Sequence, residues 1–254
     1  MAHLAVLFLV TIVYSTVHCQ TDYCKLPCDT VVHTICQRKD FNCGGAPACG
    51  ANFKAISLTN EDKQFILNVH NELRKRVATG KETIRNQPSS SNMKALNYNS
   101  ELGSIAQCCT NTCTFNHDKC RRTASYSWVG QNLGLKSYSG TSGDYKIVMN
   151  STIRAWYAEV KDFDPSWVSS FRSYDKTVGH YTQVVWAETK EVGCGMTTYV
   201  ENGWYNFLFA CNYGPGGNMA GSPVYKTGSP ASDCSSGLSV NSKYPGLCGL
   251  DNIN

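Results

Sequence analysis

Apolar residues in the first half of the chain recur with helical spacing. Ile66, Val69, Leu73 and Val77 share one face of a segment that opens at Thr59 and stops at Gly80. Asp62, three residues after Thr59, completes a variant of the capping box. A second helix is predicted from Asn99 or Ser100, with Leu102, Ile105, Ala106, Cys109 and Cys113 along one face. A third covers about 145–161. Its apolar stripe is Ile153, Trp156, Tyr157 and Val160, and Glu159 sits beside that stripe. The period then drops to two. Residues 181–186 read as one strand. Cys194, Met196, Thr198 and Val200 share a face of the next, and Tyr205, Phe207, Phe209, Cys211 and Tyr213 share a face of the last. Asn202-Gly203 between the last two is a strong two-residue hairpin turn. That turn fixes the register and sets Cys194 directly opposite Cys211, where a disulfide can span the pair. Helices combined with a short antiparallel sheet, apolar on both faces, predict an α+β fold, an α-β-α sandwich.

Fourteen cysteines in 254 residues change the picture. They point to an oxidising compartment. Residues 4–13 agree, because this apolar run is too short to cross a bilayer and suits a signal peptide cleaved around residues 19–21. The expected organisation is a signal segment over 1–20, a disulfide-rich appendage over 21–56, a main domain over 57–225 and a Gly/Ser/Pro-rich extension over 226–254. The mature protein is expected to be extracellular and monomeric. Loss of Cys19 would leave an odd number of cysteines. A free thiol, a disulfide between chains, or earlier cleavage that keeps Cys19 would each account for this. The net charge of +4 is spread without a basic block, which argues against nucleic acid as a partner. Asn150-Ser151-Thr152 is a glycosylation sequon near the start of the third helix, where Asn150 could serve instead as a cap.

Four segments carry a resemblance. They are Gly179-His180-Tyr181-Thr182-Gln183-Val184-Val185-Trp186, the stretch from Leu208-Phe209-Ala210-Cys211-Asn212-Tyr213 through Gly214-Pro215-Gly216-Gly217-Asn218, His70-Asn71-Glu72-Leu73-Arg74, and Gly130-Gln131-Asn132-Leu133. Together they resemble the signatures of the CAP superfamily: cysteine-rich secretory proteins, antigen 5 and plant pathogenesis-related proteins. The segments Tyr23-Cys24-Lys25-Leu26-Pro27-Cys28 and His33-Thr34-Ile35-Cys36 are similar to those of insect venom and salivary antigen 5. The tail with Cys234 and Cys248 is similar to the version found in flies. The resemblance implies the bridges Cys24–Cys36, Cys28–Cys120, Cys43–Cys113 and Cys194–Cys211, with Cys234–Cys248 as a fifth. Cys49 would then bridge Cys108 or Cys109 and leave the other free.

The resemblance also implies a polar cleft lined by His117, Gln131, Glu159 and His180. The second position departs from the family's acidic pattern, since Gly-Glu-Asn has become Gly-Gln-Asn. Two imidazoles, His117 and His180, with a carboxylate can hold Zn²⁺ or Cu²⁺ with water completing the site. The amide removes a charge that would raise metal affinity. No cofactor is required by the alternative reading, in which the four form a hydrogen-bonded cluster that orders the cleft. His70 reads as a satisfied helix-face histidine. The sequence offers no G-x-S-x-G or H-E-x-x-H, so an enzyme, such as a weak metal-dependent hydrolase, is disfavoured. Two binding functions remain. One is capture of a small hydrophobic ligand (a fatty acid, eicosanoid or sterol) in a channel walled by Phe65, Trp156 and Tyr157. The other is engagement of a host extracellular protein, such as an integrin or ion channel, through surface loops. Either would modulate haemostasis and inflammation. The loop Arg38-Lys39-Asp40 is the nearest approach to an integrin-binding tripeptide and lacks its glycine.

Overall fold

The computed structural model describes residues 21–38, 43–50, 52–140, 143–172 and 177–253. The signal segment, and Lys39 and Asp40 of the charged loop, lie outside the described residues. A five-stranded sheet forms the middle layer. Its strands are β1 (Lys54–Ile56), β2 (Asn97–Tyr98), β3 (Gly130–Ser139), β4 (Glu191–Glu201) and β5 (Trp204–Gly214). The order is β1-β4-β5-β3, with β2 added parallel to β4. One layer of helix is α2 (Ser100–Thr110), packed on β4 and β5. The other contains α1 (Asn60–Ala78), α3 (Tyr145–Tyr157) and α4 (Gly179–Val184). The chain is thus an α-β-α sandwich.

Local chemistry explains the elements. Thr59 and Asp62 form the reciprocal capping box at the start of α1, and Asn99 caps α2 through its side chain. Asn202 and Gly203 both take positive φ, as a type I′ turn requires, and Cys194 faces Cys211 in the β4–β5 ladder. Those two cysteines are bonded. The main core lies between the sheet and the three-helix layer, with Ile66, Leu73, Ile153, Trp156, Met196 and Phe209 among its buried residues. On the other face α2 lies almost on the backbone of β4. A Cβ on Gly193 would sit 2.2 Å from the Asn99 carbonyl, and one on Gly195 would sit 2.4 Å from the Gln107 Cα.

Three expectations need correction. Residues 181–186 are not a strand. Tyr181 to Val184 belong to α4, and every residue of the segment is buried, so burial on all sides hid the helical period. The third helix ends at Tyr157, and a 3₁₀ turn over Ala158–Lys161 carries Glu159. The bridge Cys43–Cys113 is not formed. Cys43 pairs with Cys108, and Cys49 pairs with Cys113. The helical face assumed for Cys113 does not exist, because α2 ends at Thr110 and Cys113 sits in a left-handed turn with φ 52°. Cys108 faces the appendage beside Ile35 and Cys43, whereas Cys109 faces the sheet beside Leu133 and Ala210. The remaining bridges are Cys24–Cys36, Cys28–Cys120 and Cys234–Cys248. Cys109 is the free thiol among the described residues. The C-terminal extension is not loose. Tyr244 and Leu247 enter the main core, and Ala95 and Tyr98 donate backbone bonds to Cys248 and Asn252.

Candidate functional site

Glu159 reaches from its 3₁₀ turn to the start of α4. That six-residue helix begins at Val178, which offers no side-chain cap. The Glu159 carboxylate supplies the missing acceptor. Its Oε2 accepts the backbone N–H groups of His180 and Tyr181 at 2.9 and 3.1 Å. Its Oε1 accepts from His180 Nδ1 at 2.7 Å. A negative group at a helix N-terminus is favoured by the orphan N–H groups and the helix dipole together. The His180 ring is held from behind by Trp156, stacked at 6.1 Å, and Trp156 in turn stacks on Phe209 at 5.5 Å.

His117, in the loop after α2, makes the second pair. Its Nδ1 donates to Gln131 Oε1 at 2.7 Å, and Gln131 Nε2 donates to Asn212 Oδ1 at 3.0 Å. The amide oxygen can only accept, so the neutral His117 ring carries its proton on Nδ1 and leaves Nε2 as a lone pair. The carboxylate imposes the same tautomer on neutral His180. The contacts therefore join the four residues as two pairs, His117–Gln131 and His180–Glu159. Consecutive residues of edge strand β3 anchor them, since Asn132 Nδ2 donates to the His180 carbonyl at 3.1 Å. Neighbours on a strand project to opposite faces. Gln131 turns toward α2, where Asn212 bonds the Leu102 carbonyl, and Asn132 turns toward α1, where it meets Tyr213.

A metal centre fits these residues only in part. Each imidazole presents Nε2 with Nδ1 tied down, the arrangement that orients metal-binding histidines. Yet both Glu159 oxygens are occupied by N–H donors, and position 131 is a neutral amide. Among the described residues no group of three or more His, Cys, Asp or Glu side chains is placed to hold an ion. Structural zinc sites take four protein ligands and catalytic ones three, so two nitrogens and water make a weak site.

The other sequence-named residues fall elsewhere. His70 is fully buried, with Nδ1 on the Ile66 carbonyl and Nε2 on the Tyr213 hydroxyl, and burial pushes its pKa down to about 4. Trp156 and Tyr157 are core residues. Trp156 donates to the Leu133 carbonyl, and Tyr157 donates to buried Glu82. Phe65 packs against the same core, partly buried. Asn150 lies inside α3, whose cap is Asp144, and it accepts from Arg154 at 2.9 Å. Sequence reasoning missed the buried asparagines Asn132 and Asn212. Their signal was an amide in each of two short motifs, Gly130-Gln131-Asn132-Leu133 and Cys211-Asn212-Tyr213, and both are buried.

The longest motifs prove to be one structure. Gln183 Oε1 accepts the Gly217 N–H, Thr182 Oγ1 donates to Asn218, and Asn218 Nδ2 donates to the Gly179 carbonyl. Thus α4, which bears His180, is locked to the segment after β5.

The three-layer sandwich, this interlock and the polar pair His180–Glu159 together define the class of the protein. Residues 67–213 match the CAP, or cysteine-rich secretory protein, family, and the chain belongs to it. Within that family it is antigen 5-like. It is 42% identical to venom allergen 5.02 of Dolichovespula maculata over 209 residues, covering 81% of this chain and 94% of the relative. It is 43% identical to venom allergen 3 of Solenopsis invicta over 216 residues, covering 81% of this chain and 89% of the relative. Among solved structures, the crystal structure of NaASP2 with Zn²⁺ matches with a TM-score of 0.62 at 28% identity, covering 76% of this chain and 97% of that one.

Proposed function

We propose that this chain is a secreted, non-enzymatic binding protein of the antigen 5 type that acts on a host extracellular protein through its surface. One observation carries the non-enzymatic reading: the Glu159 carboxylate beside His180 caps α4 and receives three N–H groups, so most of its accepting capacity goes to architecture. A general base would need an uncommitted lone pair within reach of a substrate proton. Burial of Trp156 and Tyr157 in the core favours surface recognition over capture of a fatty acid, eicosanoid or sterol. Six disulfides among the described residues and the venom relatives support secretion. The test is turnover of ester and peptide substrates by the protein purified from insect-cell medium, with native and denatured masses taken on the same sample. No turnover and equal masses are expected. Turnover abolished by His180→Ala, or a retained mass of lipid size, would overturn the reading.

A second reading rests on the shared tautomer of the two histidines. Two Nε2 lone pairs, each left by an Nδ1 already engaged, favour a weak site for Zn²⁺ or Cu²⁺, and one structural relative was crystallised with Zn²⁺. Calorimetric titration with either ion should give a weak, saturable signal that is lost in His117→Ala and in His180→Ala. A signal unchanged in both would remove this reading.

A further inference from the structure

A second cleft lies between residues 27–31 of the appendage and the loop 119–129. Its volume is about 330 Å³, at the lower end of the range for small-ligand sites (roughly 300–1,000 Å³). Its walls are fixed. The Cys28–Cys120 bridge joins them, the Thr34 N–H donates to the Cys120 carbonyl at 2.9 Å, and His33 bonds the Arg122 carbonyl at 2.8 Å.

Two features suit it to a ligand. Trp128 is 55% exposed, yet its indole is immobilised. Its Nε1 donates to the Gly217 carbonyl at 3.1 Å, and its edge packs so closely on Gly216 that a Cβ there would sit 2.6 Å from the ring. A large aromatic face held open to water and fixed in orientation is preorganised for stacking. The second feature is charge. Asp118 neutralises Arg121. Arg122 bonds only the carbonyls of Ser127 and Pro27, and neither it nor exposed Lys119 makes an ion pair among the described residues. Across the cleft Asp29 brings an exposed carboxylate.

We propose that this cleft binds a nucleoside phosphate, with the base on Trp128, the phosphates at Arg122 and Lys119, and the ribose diol donating to Asp29. The combination selects among anions. A bare phosphate or sulfate leaves the indole uncovered, and an aromatic acid lacks the hydroxyl pair that would offset Asp29. Stacking tolerates any base, so purine or pyrimidine identity would matter less than the phosphate count.

The experiment is isothermal titration of the full secreted protein with ADP, adenosine and inorganic phosphate separately, and with ADP in competition with phosphate. ADP should bind at one saturable site. Adenosine should bind about tenfold or more weaker, and equimolar phosphate should fail to displace ADP. Trp128→Ala should weaken ADP and adenosine alike, by about tenfold. Lys119→Gln should weaken ADP alone. Lys119 is exposed, so that variant should fold even if changes at Arg122 loosen the appendage. Absence of saturable binding at millimolar ADP, or affinity unchanged in both variants, would overturn the proposal. So would displacement of ADP by phosphate at equal concentration, which would mark an adventitious anion site.

Discussion

Replacing Glu159 by Gln separates architecture from chemistry at the cleft. The wild-type carboxylate accepts three N–H groups, at 2.7, 2.9 and 3.1 Å. Glutamine keeps one oxygen. If it stays on the two backbone N–H groups of α4, the amide NH₂ faces His180 Nδ1, and two donors then meet. The conflict resolves only if His180 moves its proton to Nε2, so that Nδ1 can accept. The cost has two parts. Losing a charged cap is worth about 1 kcal/mol, and losing a charge-assisted bond at a site that is partly solvated adds about 1–2 kcal/mol. The expected destabilisation is therefore about 2–3 kcal/mol. Urea denaturation measures it, and long-range ¹H–¹⁵N spectra of the imidazole report the tautomer. A loss under about 0.5 kcal/mol would refute the capping argument. An Nδ1-protonated ring in the variant would refute the tautomer argument even if stability fell.

Three further outcomes follow from buried groups. Arg74 is fully buried and donates to the carbonyls of Lys94, Val184, Trp186, Ala187 and Thr189, so Arg74→Met should cost about 3–5 kcal/mol in denaturant unfolding; a loss under about 1 kcal/mol would contradict the role given to those bonds. His70, with a folded pKa of about 4, takes up its proton more readily when unfolded, near pH 6.5. Its contribution is complete above about pH 6.5, falls as the pH drops toward 4, and is lost below that, so wild type should lose about 2–3 kcal/mol more than His70→Gln between pH 7 and 4.5; parallel pH curves would exclude it. Burial pushes the Cys109 thiol up to about 12, so iodoacetamide at pH 8 should label it only after denaturation, and labelling of the native protein would show that the thiol is accessible.

Much of the sandwich was legible because its determinants are local. The Thr59–Asp62 box announces α1, and Asn202-Gly203 sets a register that carries Cys194 to Cys211 without reference to the rest of the chain. The misses share a cause, which is long-range packing. Residues 181–186 look alternating because α4, which holds Tyr181 to Val184, and the turn after it are buried all round. Strand β3 was quoted only as a motif. Its Gly, Lys and Ser residues carry little strand propensity, and pairing with β5 along its length makes it a strand. At the cleft, His117, Gln131, Glu159 and His180 could be named by resemblance. The capping role of Glu159 could not, because it depends on a helix start that the sequence disguised. The His70–Arg74 motif, too, gains its meaning only in the structure. Asn71 brackets the backbone of Leu96, and Arg74 gathers the carbonyls after α4.

The bridges from the appendage to the region of α2 and the loop after it have a consequence for survival among proteases. Cys28, Cys43 and Cys49 are tied to Cys120, Cys108 and Cys113. A single peptide-bond cleavage anywhere between residues 28 and 120 leaves its two fragments on opposite ends of at least one disulfide. The nicked chain would keep its mass, apart from one added water, and its surface until a reductant reached it. Damage to this molecule outside the cell would therefore stay hidden from electrophoresis that does not first break sulfur from sulfur.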